Sequence, residues 1–386
     1  MDTLEKAQLL GQAAQYDTCM VCGVEGHKKR DDLGRWIYPA RLPDGRTILM
    51  LKVLQTNVCE HDCLYCVNRK SADVRRLAFQ PEELARLFMD MVRRGQARGL
   101  FLSSGVAGTA DRSMGRMIDT ATILRQRYGF RGYLHLKVLP GASRAAIEQA
   151  VRLADRVSVN LEAPSAACLA RIGPDKDFEM GIRQRQQWIY ELAQAGTGPG
   201  GVGLLPAGQT TQLVVGAADE SDREILTTVD ALYRQVGLRR AYYSAFQPVP
   251  GTPLEHHPPT PVNREHRLYQ ADWLRRRYGF SFDELVFGPD GNLPLATDPK
   301  LLWAQTHPEC FPLEVNAASR QELLRIPGIG PRTVDRILQA RQQGRLQAPE
   351  HLKALGAVVD RALPYILLDG RRPAYQLPLW PDQIGK

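Results

Sequence analysis

The chain has 386 residues, 44% hydrophobic and 24% charged, with a formal charge of +8. That length suits one large domain plus a smaller one, and the positive excess points to polyanionic partners. Seven cysteines, five of them in the first 66 residues, are an odd and clustered set, which argues against a disulfide framework and for metal-binding thiols in a reducing compartment.

Residues 1–46 read as an N-terminal extension. It opens MDTLEKAQLLGQAAQYD, charged from the second residue and without an apolar core segment, so no secretory signal is expected and the cytoplasm is the expected compartment. Cys19 and Cys22 form a C-x2-C pair in a polar loop, read either as ligands of a second cluster or zinc or as a surface pair. From 47 to 280, short apolar runs alternate with amphipathic stretches. TILMLKVL (47–54), GLFLSS (99–104), YLHLKVL (133–139), RVSVNLE (156–162), TTQLVV (210–215) and RAYYSAF (240–246) are predicted strands, each too short to span a bilayer. Between them PEELARLFMDMVRRG (81–95) starts with a helix-compatible proline and places Leu84, Leu87, Phe88 and Met91 on one face. Six such β-α units in series predict a parallel sheet with helices outside, either an open sheet or an incompletely closed barrel. Residues 281–312, dense in Pro, Gly and Asp, read as a connector. Residues 313–370 are patterned only for helices, and 371–386 read as a flexible tail.

The first predicted strand runs into CEHDCLYC, where Cys59, Cys63 and Cys66 make C-x3-C-x2-C and Tyr65 precedes the last thiol. Structural zinc takes four ligands, usually as two close pairs, and iron–sulfur cubanes also take four cysteines. No fourth thiol follows here; three would leave one iron of a [4Fe–4S] cluster open to an outside ligand. S-adenosylmethionine can fill that position through its amino and carboxylate groups. A zinc knuckle, or thiols without a shared role, is the competing reading.

With its aromatic residue and its place after a strand, this segment resembles the signature of the radical S-adenosylmethionine superfamily. The resemblance implies a partial six-strand (β/α)6 barrel, a [4Fe–4S] cluster held by Cys59, Cys63 and Cys66 beside Tyr65, and a 5′-deoxyadenosyl radical made from S-adenosylmethionine. It places Ser103, Ser104 and Gly105 at a turn near the methionine amino group, and Glu162 near the methionyl or ribose portion. Gln212 and Gly216 would approach the adenosine, and FQPVPGTPLE (246–255) would pack near the adenine. Lys137 would bind a carboxylate or phosphate, and Cys168 would be a hydrogen donor or a buried small residue. Each position is equally compatible with an ordinary strand-end residue.

In the C-terminal segment Ser319 and Glu322 have capping-box spacing, and IPGIGPRT makes a tight turn into a second helix. This resembles the helix-hairpin-helix motif, a small all-α module. The likeness implies sequence-independent contacts to a DNA backbone from Gly328, Ile329, Gly330 and Arg332. LKALGAVVDRALPYI resembles a second copy without the second glycine. Gln376, Leu377, Leu379 and Trp380 resemble a peptide that binds the bacterial sliding clamp. Over nearly its full length, through YDTC, IYPA, LKVLQTN, CVNR, GQTTQLVVGA and PGIG, the chain resembles the DNA modification/repair radical S-adenosylmethionine proteins. That likeness implies action on DNA, a nucleoid-associated location and a flavodoxin- or ferredoxin-like electron donor, but it supplies no reaction. A radical enzyme acting on tRNA and a non-catalytic iron–sulfur redox sensor on DNA are the alternatives.

Overall fold

The computed structural model describes residues 3–14, 36–41, 45–196 and 203–375. They divide into two compact units, the first reaching to Glu220 and resuming over Thr228–Val262, the second comprising Ser221–Thr227 and the chain from Asn263 onward.

The first unit is built on one sheet whose strands lie in chain order: β1 (Ile37–Arg41), β2 (Thr47–Leu54), β3 (Gly99–Ser103), β4 (Tyr133–Lys137), β5 (Arg156–Ser158), β6 (Gln209–Val215) and β7 (Arg240–Ala245). β2 to β7 are all parallel, and the sheet curls into a partial barrel. Parallel neighbours need long crossovers. These are supplied by α2 (Pro81–Arg93), α3 (Ala110–Thr122), α4 (Arg144–Leu153), α5 (Ala166–Ile172), α6 (Gln184–Ala195) and α7 (Asp222–Gln235), while α1 (Thr3–Ala14) precedes the sheet. Leu84, Leu87, Phe88 and Met91 of α2 are buried as their spacing predicts.

The expected strand count of six is corrected to seven. β1 pairs antiparallel with β2, Pro39 opposite Leu49. A proline within a five-residue run lowers any strand signal, yet an edge strand tolerates its missing N–H. β5 is also shorter than predicted and ends at Ser158. Past it the Thr211 hydroxyl takes the Leu161 N–H, the Leu161 and Glu162 amides both reach the Gln212 carbonyl, and Glu162 turns left-handed at φ 67°.

Alternation along the strands separates two faces. Leu100, Leu102, Leu134 and Leu136 are fully buried. The opposite face brings Lys52, Phe101 and His135 into register across three strands, with Lys137 beside Ser158. A barrel interior is ordinarily filled by branched aliphatic side chains. Here the face is cationic and aromatic: the Phe101 and His135 rings stack at 4.0 Å, and the Lys52 and Lys137 ammonium groups lie 4.9 and 5.7 Å from the Phe101 centroid.

The second unit contains α8 (Val262–Tyr278), α9 (Pro299–Thr306), α10 (Arg320–Arg325), α11 (Pro331–Ala340), α12 (Pro349–Ala354) and α13 (Val359–Ala362). Its core includes Leu323, Ile326, Ile329, Val334, Ile337 and Leu352. Ser319 caps α10, and Glu322 reaches back to the Ser319 amide, completing the expected capping box. The all-α expectation needs one correction, because β8 (Leu313–Glu314) and β9 (Ile366–Leu367) pair in parallel. Strands of two residues leave no periodicity to read. Among the described residues no helix is long and apolar enough to cross a membrane.

Candidate active site

Cys59, Cys63 and Cys66 lie on the loop after β2, with Cys63 buried and the other two half-buried. Backbone bonds tie this loop to the exit of β3: the Gln55 amide donates to Ser103 at 2.7 Å, Gly105 to Thr56 at 2.8 Å and Glu60 to Val106 at 2.8 Å. Gly105 marks the closest approach. A Cβ there would stand 2.2 Å from the Val58 carbonyl oxygen and 3.3 Å from the Cys59 Cβ. Gly105→Ala is therefore expected to displace the cysteine loop backbone and lower the iron retained after reconstitution, checked by iron content per chain beside wild type.

Side-chain hydrogen bonds hold the stems of the loop together, those of Thr56 to the Leu77 carbonyl and Gln55 to the Phe79 carbonyl among them. Asn57 donates to the Arg75 carbonyl at 2.8 Å and accepts from the Leu77 amide at 2.7 Å. Arg76 does more. One guanidinium nitrogen donates to the carbonyls of Asn57 and Asn68, the other to those of Arg69, Lys70 and Ala72, at 2.5 to 3.3 Å. Its planar fork thus joins backbone on both sides of the three thiols. Nothing in KSADVRRLAF marks Arg76 apart from Arg75, which is exposed and pairs with Glu5.

The thiols face a buried ion pair. Lys176 lies 3.0 Å from the Glu162 carboxylate, each side chain only 8% exposed, and 3.5 Å from the Tyr65 hydroxyl. Burial works against the Lys176 charge, but Cys63 and Glu162 outweigh it and hold its pKa above the ordinary lysine value. Burial raises the Cys63 thiol against the pull of Lys176. Burial, then Cys63, pushes Cys66 up to about 12, although the Asn68 amide donates to its sulfur at 3.4 Å. Burial and then Glu162 raise the Tyr65 phenol, whereas burial and then Lys176 lower His61. Glu162 reaches this pair from its left-handed backbone, a conformation costing about 1–3 kcal/mol that persists only when its surroundings hold it. Its amide donates to Gln212 and its carbonyl accepts from Val214.

This donor set fits an iron–sulfur cluster: soft thiols within electrostatic reach of one another, with a buried cation beside them. Among the described residues no three His, Cys, Asp or Glu side chains are gathered to hold one metal ion. That bears on a single ion rather than on a cluster with one thiolate per iron.

The other predicted positions lie on the same strand ends. Ser103 is buried, Ser104 donates to the Gly105 carbonyl at 2.7 Å, and Gln212 donates to the Ser244 hydroxyl at 3.1 Å. Gly216 is left-handed at φ 84°, and its N–H is taken by Glu220, which also accepts from Ala218. Lys137 donates to Asn160 at 2.9 Å. Cys168 is buried at the start of α5, and Cys310 is exposed in the second unit. Cys19 and Cys22 lie outside the described residues, as do Gln376, Leu377, Leu379 and Trp380. Sequence reading missed Lys176, Arg76 and Glu220. The only local signal was the break at Gly173–Pro174, just before Lys176.

In the second unit α10 and α11 flank a turn at Gly328, and α12 and α13 flank one at Gly356, both glycines left-handed at φ 80° and 92°. The turns clasp each other. The Val358 amide donates to the Gly328 carbonyl at 2.9 Å, and the Thr333 hydroxyl donates to Gly356 at 3.0 Å. A Cβ on Gly328 would come 2.3 Å from the Val358 carbonyl oxygen, so only glycine fits. Ile329, read as a backbone-contacting residue, buries its side chain in the core and offers only main chain. Gly330 is the N-cap of α11, and Arg332 in its first turn makes no ion pair among the described residues.

Beneath the turn, Lys300 donates to the Ile329 carbonyl at 2.6 Å, and burial lowers its pKa to about 7 against the pull of Asp298. Between that value and the ordinary 10.5, the unfolded state binds more protons than the folded one, so stability rises with pH across this window. Denaturant midpoints of the second unit's transition at about pH 7 and about pH 10 should differ in that sense. Lys300→Met should flatten the difference.

The model of the radical S-adenosylmethionine superfamily matches residues 53–232. No curated protein matches the chain. Among solved structures it is similar to the FeFe-hydrogenase maturase HydG from Carboxydothermus hydrogenoformans, at 12% identity and TM-score 0.45, over 57% of this chain and 49% of that one. It is also similar to methylornithine synthase (PylB), at 12% identity and TM-score 0.46, over 58% of this chain and 61% of that one. The Streptococcus suis protein SuiB is similar at 11% identity and TM-score 0.42, over 59% and 48%. The chain thus spans about half to three-fifths of these proteins' lengths.

Proposed function

We propose, from the premise that this chain is a radical S-adenosylmethionine enzyme built on the domain at residues 53–232, that it acts on DNA held by its second unit. The cofactors of that domain are a [4Fe–4S] cluster and S-adenosylmethionine. When bound, they supply a 5′-deoxyadenosyl radical that takes a hydrogen atom from a substrate.

The chain's own residues then have distinct tasks. Cys59, Cys63 and Cys66 hold the cluster, and Arg76 keeps their loop closed. The Lys176 cation offsets the negative charge that three thiolates bring into a buried site. Ser103 to Gly105, Glu162, Gln212 and Gly216, at the ends of the same strands, would contact S-adenosylmethionine. The face carrying Lys52, Phe101, His135 and Lys137 suits a substrate with an aromatic ring and an anionic group. A paired base would have to leave its stack to reach it.

The observation that carries the DNA reading is the clasped pair of turns. Two helix–turn–helix units with left-handed glycines at Gly328 and Gly356 are the arrangement expected of a helix-hairpin-helix module, whose turn amides grip phosphates. Residues 313–372 also hold ten Lys and Arg against six Asp and Glu. A flavodoxin- or ferredoxin-like protein would deliver the electron, and the peptide from Gln376 to Trp380 would engage the sliding clamp.

The test is anaerobic: reconstitute the cluster, add dithionite and S-adenosylmethionine, and measure 5′-deoxyadenosine with duplex DNA, single-stranded DNA, tRNA or none, at fixed salt. DNA should stimulate formation above the other conditions, and Cys63→Ala should abolish it. Stimulation by tRNA alone would transfer the reading to RNA, and indifference to every nucleic acid would end it.

A further inference from the structure

The second unit carries an open pocket of about 530 Å³. Gly328, Gly330 and Gly356 of the clasped turns contribute to one side, and Trp273 and Tyr278 of α8 to another. Trp273 is 46% exposed. It lies in a solvent-facing stripe of α8, His266, Gln270, Trp273 and Arg277, spaced by four, three and four residues and exposed throughout. Arg277 makes no ion pair among the described residues, and neither does Arg332 at the start of α11. The one carboxylate in the lining, Asp298, is already bound to Arg361.

We propose that this pocket takes an unpaired nucleotide, its base stacked on the Trp273 indole and its phosphate met by Arg277 and the main chain of the Gly328–Gly330 turn. The inference rests on the reading of the second unit as a nucleic-acid module and adds the kind of strand it selects. A flat aromatic surface accepts any base, because every base has a π face. Turns without side chains let a sugar–phosphate chain come close. Arg277, one turn past Trp273 on the same stripe of α8, and Arg332, between the lining residues Gly330 and Thr333 in the chain, stand outside the lining without ion pairs and favour a polyanion over a protein helix. Inside a duplex both faces of a base are covered by its neighbours, so away from the duplex ends only an unpaired nucleotide offers a free face.

The test uses the full-length, cluster-reconstituted protein and fluorescence anisotropy at fixed salt. The probes are a blunt duplex and the same duplex with a single-stranded tail. Trp273→Ala should weaken binding of the tailed duplex about tenfold and leave the blunt duplex unchanged, and Trp273→Phe should restore most of the loss. Equal affinity of Trp273→Ala and wild type for the tailed duplex would overturn the proposal while leaving the DNA reading intact. Equal losses on both duplexes would also overturn it, by making the indole a general contact. A variant that binds DNA normally but turns a dimer into a monomer would assign the pocket to a second copy of the chain. Wild-type protein that binds no nucleic acid would remove the DNA reading and this proposal together.

Discussion

Arg76→Met is expected to strip the protein of most of its cluster while the barrel stays folded. The Arg76 guanidinium donates to five carbonyls, one before Cys59 and four after Cys66, and no other side chain spans both stems in this way among the described residues. Hydrogen bonds from charged donors contribute about 1.5–3 kcal/mol each, and five on one group overlap rather than add. Residues that orient metal ligands from outside the ligand set typically change affinity by about 10–100-fold when replaced. The loss here should fall in that range. Arg76→Lys should fail as well, because an ammonium has three donors on one atom and cannot reproduce a planar fork. Iron per chain and visible absorption after anaerobic reconstitution give the answer, with a thermal melt of the apo protein to show that the fold survives. Wild-type iron in Arg76→Met would refute the role.

Lys176→Met should be the most destabilising replacement near the site, by about 3–5 kcal/mol in the apo protein, because it leaves the Glu162 carboxylate buried without its partner. Both side chains are only 8% exposed, so water cannot take over the contact. Pairing the change with Glu162→Gln should recover most of the loss, since removing both charges leaves no uncompensated ion. Denaturant unfolding of the two single variants and the double variant forms the cycle; full additivity would mean that the pair does not couple. A second readout separates stability from chemistry. With a positive charge gone beside the thiolates, the reduction potential of the reconstituted cluster should become more negative in Lys176→Met and stay near wild type in Lys176→Arg. An unmoved potential would show that the Lys176 charge is not felt by the cluster.

Much of this protein is legible along the chain itself. The six parallel strands carry their own period-two and apolar-run signals, and the helix at 81–95 carries its face. Three thiols and one aromatic residue within eight positions carry the likeness to the radical S-adenosylmethionine signature, and that likeness implies the cofactors, a [4Fe–4S] cluster and S-adenosylmethionine. These features depend on neighbours in the chain, so their spacing is a direct record of their geometry. β1 escaped because Pro39 lowers strand propensity in a run that only its pairing with β2 makes a strand. The β8–β9 ladder escaped because two residues have no period.

What only the tertiary structure decided is which distant groups meet. Lys176 stands 111 positions from Tyr65, yet it settles the electrostatics around the thiols. Glu162 was marked by its place after a strand, but its left-handed turn and its ion pair arise from bonds to β6. Arg76 and Arg75 are indistinguishable as letters, and one closes the cysteine loop while the other points to solvent. Gly328 announced a turn; that the turn must stay side-chain-free because Val358 lies against it is a property of two hairpins packed together. Strand period and thiol spacing are set by the local backbone and can be read along the chain. A buried ion pair, a forked guanidinium and a clasp of two turns exist only after remote segments have been brought together and water has been excluded between them.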